Sequence, residues 1–488
     1  MSSVNLADIF VGLANRWPDR RAIISSQLIL SYGELVARAS QSARELHLRG
    51  IGGKARVGVC LRDAAETVVL MLAIWMLRAT AVAIDFRTSG AERALLADEF
   101  DMAAILQDRQ TLADYDSILI DSSWADAIAR HDRSGLWTSS QEVVAAVISL
   151  TSGTTERPIG IVLDHEQVLL QAIFDLSQKF GTSLLNPLPL WFAGSRNHTF
   201  GALLKGSAVC FHPMLFSAQE LTEAILAIKA TSVCAVPTII RSMLEIAGER
   251  ASPLFEALDA LYCFGAPMFP EEKLRAKTFL CGNFTEGYGS SICGRISALF
   301  GSDLESHPDT VGRVLPFVVL QIVDDNDRVL PLGEAGTIRL RSPSMSRGIY
   351  GGRTRALGEK FKDGWAYPGD IGALDGEGFL RLLGRTSDLI IRGGVNVHPA
   401  EVEAVLAEHP GVKEAFVVGF AQSREGEEIA AIVVAAGDLT EAALVAHCRV
   451  RLSPDKRPRR FVFVTELPRT SNGNVSRAKL RERLEAAV

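Results

Sequence analysis

Thr151-Ser152-Gly153-Thr154-Thr155 is the segment whose residue types and spacing best suit chemistry. Small hydroxyl side chains donate to phosphate oxygens, and a glycine lets backbone N–H groups approach an anion closely. The apolar run Val143–Leu150 reads as a buried strand leading into this loop, and a helix begins near His165. Asp164 suits the cap of that helix, with Gln167 three residues on completing a capping box. The Walker A pattern G-x-x-x-x-G-K-[ST] occurs nowhere in the chain. Taken alone, the segment reads equally as an anion-binding loop or as a Ser/Thr-rich surface turn.

A phosphate loop needs a rigid scaffold behind it. Arg56–Cys60 is a short apolar run followed by a helical stretch, Ala64–Leu77; Ala81–Ile84 is apolar again, and a helix follows around Ala91–Asp98. This alternation predicts an α/β fold of parallel sheets covered by helices. The texture changes near residue 384. Upstream runs a β-rich stretch with many turn signals: Val318–Val323, Gly336–Arg341 and Gly376–Leu383. Downstream come a helix at Pro399–Glu408, strands at Glu414–Gly419 and Ile429–Val434, a helix at Glu441–Leu452 and a strand at Arg460–Val464. The expectation is a large N-terminal domain, 1–384, of parallel or mixed sheets with helices and a β-rich subdomain. A small α+β domain, 385–488, follows, with the boundary at Gly384–Asp388.

Composition narrows the function classes. The 488 residues exceed one ordinary core, and 48% hydrophobic with 22% charged residues is a normal globular balance. A net charge of −6 argues against a nucleic-acid or membrane-surface binder, which needs a basic face. The apolar run Val68–Leu77 stops at Arg78, far short of the roughly 20 residues that span a bilayer, so it reads as a buried helix. No basic stretch followed by an apolar run opens the chain, so no signal peptide is expected. Seven cysteines, odd in number and without a C-x-x-C pair, fit reduced thiols in a cytoplasmic protein. The histidines lack metal-ligand spacing, and no metal site is assigned.

Six further segments, in order, extend the first one. Thr151–Gly160 (TSGTTERPIG) resembles the T-S-G-T-T-G-x-P-K-G phosphate loop of the adenylate-forming superfamily, the acyl- and aryl-CoA synthetase-like, AMP-binding enzymes. Phe264-Gly265-Ala266-Pro267 resembles its G-G-A-P, and Gly287-Tyr288-Gly289-Ser290-Ser291 its G-Y-G-x-T-E. Tyr367-Pro368-Gly369-Asp370-Ile371-Gly372 resembles T-G-D-x-G, and Gly384-Arg385-Thr386-Ser387-Asp388 the G-R-x-x-D hinge. Arg392–Glu403 and Leu467–Leu480 complete the series, which fits from Pro18-Asp19 to the C-terminus.

The resemblance implies roles. Thr151 to Thr155, Gly265, Ala266, Pro267, Gly289 and Ser290 would surround the nucleotide. Tyr288 would stack on adenine, with the backbone of Glu286 and Gly287 at its edge. Asp370 would accept from the ribose hydroxyls, and Arg385 would stand by ribose and phosphate. Ser291, Arg385 and Asn474 fall at the catalytic positions. Trp191, Phe192, Gly194, Asn197, Val236, Phe264 and Cys293 would line the acyl pocket, an aromatic and apolar lining favouring an apolar or aryl acid. Arg196, Asn197 and His198 would supply a polar end. Ser387 would be the hinge on which a mobile C-terminal domain turns. The implied activity is ATP-dependent activation of a small-molecule carboxylic acid, followed by transfer to a thiol of CoA or of a carrier protein. ATP, Mg2+ and CoA are the implied cofactors.

Three positions depart from the superfamily pattern. Ile159 stands where the phosphate loop has lysine, with Glu156 replacing the preceding glycine. Ile292 stands where a glutamate helps hold Mg2+, and Asn474 where a lysine bridges carboxylate and α-phosphate. Arg157, Lys456, Arg457, Arg477 and Lys479 are candidate substitutes. The erosion also fits a non-adenylating relative that serves as a partner or regulator, or a specialised ligase that forms amides or activates nitrite for diazotisation.

Overall fold

Ala64–Met76 is apolar on every side, and every residue from Ala65 to Met76 is buried. A helix with no polar face is stable in water only when surrounded by other elements. Asp63 starts it, its carboxylate accepting from the N–H groups of Ala65 and Glu66. The apolar run of this sequence is therefore a core helix. No helix among the described residues is long and apolar enough to cross a membrane. The structure, a computed structural model, describes residues 4–110, 115–133, 144–151, 159–176, 181–214, 216–350, 360–392, 395–423, 426–468, 475 and 477–485.

The chain forms two compact units. The first comprises Met1–Ser306, Leu315–Val319 and Arg341–Ala366; the second comprises His307–Val314, Leu320–Leu340 and Tyr367–Val488. In the first unit, one sheet runs in the order Gly294–Leu299, Phe284–Ser290, Ala260–Phe264, Ser232–Ala235, Ser183–Asn186, Ala208–Phe211, Arg21–Ile24, Ile29–Ser31. Its six central strands are parallel, and the strand at each end is antiparallel. The other sheet runs Gly348–Tyr350, Ile159–Asp164, Ala145–Thr151, Thr80–Ala83, Arg56–Cys60, Met102–Gln107, Ser117–Leu119, parallel from Ala145–Thr151 onward. Helices in the connections cover both sheets, as parallel pairing demands.

The second unit holds two successive structures. Strands Gly336–Arg341, Asp370–Leu374 and Leu380–Arg385 pair antiparallel, Gly336 with Gly372 and Asp370 with Arg385. A 3-10 turn, Thr386–Asp388, then leads into strand Ile390–Arg392. From Ile390 onward the side chains build their own cores. Strand Gly426–Ala435 sends Ile429, Ala431 and Val433 to one face with Val402, Leu406 and Leu444. It sends Ala430, Ile432 and Val434 to the other with Leu467, Leu480 and Leu484. The period-2 alternation serves two buried faces at once. The unit boundary thus lies upstream of Gly384, while the change of core falls at the 384–388 turn.

Candidate functional site

Thr151 ends its strand, with its Cα paired to that of Ile159 on the returning strand. Ser152, Gly153, Thr154, Thr155, Glu156 and Arg157 lie outside the described residues, as do Gly393, Gly394 and Asn474. The frame around the loop is set. Gly160 tolerates no side chain, since a Cβ there would stand 2.4 Å from the Phe100 ring and 2.7 Å from Ile148. The capping box of the next helix is formed in both directions: Gln167 N–H to Asp164 Oδ1 at 2.8 Å, and Asp164 N–H to Gln167 Oε1 at 2.9 Å.

The parallel strands Ala260–Phe264 and Phe284–Ser290 end side by side, and their carboxyl ends form the kind of edge where α/β proteins bind ligands. Gly265 leaves the first strand at φ +96°, the Phe192 ring 3.0 Å from where a Cβ would be, so glycine is required. Gly265 and Pro267 are exposed, and Ala266 is half-buried. On the second strand, Glu286 and Tyr288 face one side and Gly287 the other. The Glu286 carboxylate is buried against the Lys273 ammonium at 2.6 Å. Burial pushes the Glu286 carboxyl above its ordinary range, with Lys273 opposing. Tyr288, Ser290 and Ser291 are half-buried and Gly289 is exposed at the strand end. Cys293 donates its N–H to Ser290 O at 3.2 Å, closing the turn.

Ile292 is 5% exposed, and its carbonyl accepts from Ser346 N–H at 2.6 Å. A buried isoleucine is no oxygen ligand, and no group of three or more His, Cys, Asp or Glu among the described residues is arranged to hold a metal ion. Ile292 itself therefore supplies no ligand to Mg2+, a cation usually held by one or two carboxylates together with substrate phosphates.

The proposed acyl-pocket residues divide. Phe192, Phe264 and His198 form a stack: Phe192 on Phe264 at 5.7 Å, and His198 on Phe264 at 4.5 Å with the two rings nearly parallel. Gly194 makes this possible, since a Cβ there would stand 2.6 Å from the Phe264 ring. Val236 joins them beside Gly265. Asn197 donates to Gln171 Oε1 at 3.0 Å, and the Cys293 carbonyl accepts from Ser344 Oγ at 2.9 Å. Trp191 does not join this group. It carries the Arg87 guanidinium over its ring at 5.6 Å and lines a recess with Val59, Met71 and Ala83.

Arg196 is not a polar end of this pocket. It is fully buried, donating to Ser149 Oγ at 2.5 Å and to Leu190 O at 3.2 Å. Burial pulls its pKa down to about 10. The residue that reasoning from sequence missed is Arg295, which donates to His198 Nε2 at 2.9 Å. Its side chain runs back along the neighbouring strand, from its register partner Gly289 toward Gly287, a pairing that no short stretch of sequence displays.

In the second unit, Asp370 is 8% exposed and faces the exposed Arg385, with Nε to Oδ1 at 3.4 Å. The exposed Ser387 donates to Asp388 Oδ1 at 3.2 Å. Three of the suggested substitute cations are engaged structurally. Lys456 pairs with Glu401 at 2.6 Å, Arg457 donates to the carbonyls of Leu452 and Arg449, and Arg477 holds Glu403 at 2.7 Å and Asp388 at 3.2 Å.

Residues 12–350 match the AMP-binding enzyme family, and residues 401–474 match the AMP-binding enzyme C-terminal domain. The chain belongs to the AMP-binding enzyme family. Among relatives, it is 30% identical to the indoleacetate–CoA ligase of Aromatoleum aromaticum over 95% of both chains. It is 28% identical to the long-chain-fatty-acid–CoA ligase FadD13 of Mycobacterium tuberculosis, again over 95% of both. Among solved structures, ATP-bound MatB from Rhodopseudomonas palustris superposes with a TM-score of 0.90 at 25% identity, covering 99% of this chain and 100% of that one. The o-succinylbenzoate CoA synthetase MenE of Bacillus subtilis, in complex with its acyl-adenylate intermediate, gives 0.87 at 25% identity over 99% of both. The adenylate-forming fold expected of the AMP-binding family is thus present along nearly the whole chain.

Proposed function

We propose that this AMP-binding family enzyme uses ATP to convert a carboxylic acid to an acyl-adenylate and passes the acyl group to a thiol, that of CoA or of a carrier-protein pantetheine. Its class, an AMP-forming acid–thiol ligase, rests on the family match and on full-length relatives named as CoA ligases. The observation that carries the reading is the strand end Glu286–Ser290. An aromatic face at Tyr288, flanked by glycines and held by a buried ion pair, is suited to a flat purine. In the first step a carboxylate oxygen would attack the α-phosphorus as the bond to pyrophosphate breaks. Asp370 supplies acceptors for ribose hydroxyls, and Arg385 beside it supplies positive charge. The turn 384–388 would serve as the hinge for the C-terminal domain, 385–488.

One feature favours a second reading. Ile159 and Ile292 are apolar where the family places charge, which suits a relative that binds adenylate without forming it. Acid-dependent exchange of pyrophosphate into ATP decides between the two, with thioester formation on CoA as the second measurement. Exchange above background with any acid supports the ligase; none, with AMP still bound, supports the second reading.

A further inference from the structure

The turn Thr386–Asp388 is held at both ends. Upstream, Arg385 pairs in register with Asp370, and Thr386 N–H donates to the Gly369 carbonyl at 3.0 Å, so this end belongs to the antiparallel strands. Downstream, the Arg477 guanidinium gathers the C-terminal elements. Its Nη1 lies 2.7 Å from Glu403 Oε1, and its Nη2 donates to Glu403 Oε2 at 3.1 Å. Nη1 also donates to the Val417 carbonyl, and Nε lies 3.2 Å from Asp388 Oδ2. Glu403 sits on helix Pro399–Ala407, Val417 on strand Val412–Ser423, and Arg477 opens helix Arg477–Glu485. One side chain thus ties Asp388 to three elements. Ser387 lies between the two anchors. It is exposed, and among the described residues its hydroxyl bonds only to Asp388.

We propose that Arg477 is a positioning residue of the hinge: by pinning Asp388 to the C-terminal core, it leaves Ser387 as the single pivot on which that domain turns. The inference rests on the two-step ligase reading above. Hinges are a few residues that absorb the φ/ψ change, and a body that turns about one residue keeps a defined axis. With Asp388 loose, the rotation would spread over neighbouring residues. The C-terminal domain would then reach its second pose in many orientations, few of them productive. Lysine cannot replace Arg477, because two carboxylates at separate nitrogens need the spread of a guanidinium, and an ammonium is one point of charge. Asp388 is the separable partner. Without it Arg477 keeps both bonds to Glu403, so the ion pair of the core survives.

The test uses the full chain as wild type, Asp388→Ala, Arg477→Lys and the double variant. Trypsin reads the anchor without turnover, because Arg385 is exposed and the bond after it leads straight into the turn. A protease cuts the opened form, so cleavage after Arg385 tracks the population in which the turn has come loose. Asp388→Ala should speed that cut about threefold to tenfold, the worth of one half-buried ion pair, with cuts elsewhere unchanged. Arg477→Lys should speed it too, and adding Asp388→Ala to Arg477→Lys should speed it no further, since the contact is already gone. Function is read as the ratio of thioester formation, which needs both poses, to pyrophosphate exchange, which needs the first alone. Asp388→Ala should lower that ratio about threefold to tenfold. A folding defect lowers both rates together and leaves the ratio unmoved. An unchanged cut in Asp388→Ala, a further rise in the double variant or an unmoved ratio overturns the inference. A faster cut in the variants, with a wild type that exchanges no pyrophosphate with any acid, supports the anchor and counts against the ligase reading alone.

Discussion

Lys273 and Glu286 meet at 2.6 Å with each side chain only 3% exposed, an ion pair enclosed behind the strand end that carries Tyr288. Removing Lys273 leaves the buried Glu286 carboxyl without its counter-charge. Lys273→Met should therefore cost about 3–5 kcal/mol, while Lys273→Met with Glu286→Leu should recover most of it. Burial already raises the Glu286 pKa above 4.5, and losing Lys273 raises it further. A carboxyl raised on folding favours the folded state below its unfolded pKa, and that benefit is lost as pH rises through the folded pKa. The single variant's deficit should thus be smallest near pH 4.5 and grow toward neutrality. Urea denaturation across that range measures it; a deficit independent of pH would contradict the assignment.

Asp370 is nearly buried beside an exposed Arg385. If it accepts from the ribose hydroxyls, Asp370→Ala should weaken AMP about tenfold to a hundredfold. Deoxyadenosine monophosphates lacking a ribose hydroxyl should bind wild type more weakly and lose less on mutation. Equal AMP affinity in wild type and variant, by calorimetry, would sink the ribose assignment.

His165 predicts acid sensitivity. Its Nδ1 accepts from Leu6 N–H at 3.3 Å, and burial, with Arg78 nearby, brings its pKa down to about 3. The unfolded chain takes up this proton near pH 6.5, the folded chain only near 3. The stabilisation is present above 6.5 and lost as pH falls toward 3, at about 1.4 kcal/mol per pH unit. His165→Gln keeps an acceptor and removes the titration. Its stability relative to wild type should improve steadily below pH 6.5, and parallel curves would show that His165 protonates without cost.

Ile159 and Asn474 give the fourth prediction. Restoring lysine at 474 should raise the adenylation rate by up to about 10²–10³, the worth of one preorganised donor to developing charge. Ile159→Lys should chiefly lower the KM for ATP, because its charge would act in ground and transition states alike. Pyrophosphate exchange on both single variants, the double variant and wild type is the measurement. A wild type already fast, and slowed by Asn474→Lys, would mean that other groups have replaced the lysine.

What the sequence made legible follows from what each feature depends on. The strand into Thr151, the capping box at Asp164 and Gln167, the core helix at Ala64–Met76 and the alternating strands after Ile390 depend on local periodicity and capping chemistry. These are written within short windows. The Arg295–His198 contact and the Lys273–Glu286 pair depend on strand neighbours distant in sequence, so no window contains them. Arg196 and His198 are two residues apart, yet one is buried against Ser149 and the other faces Phe264. Their types alone do not say which turns toward the pocket.

Ile23 pairs with Val209 and Ile24 with Cys210, so an early strand of this chain finds its partner far downstream. At about 5–20 residues per second, a ribosome releases that partner on the order of ten seconds or more after the early strand emerges. Throughout that interval the nascent chain shows an unpaired edge with Ala22 and Ile23, both fully buried later, open to other chains. The yield of active protein should then depend on elongation speed and on holdase capacity in the producing cell. Mutations at this edge would act first on the newborn chain and only afterwards on the finished enzyme.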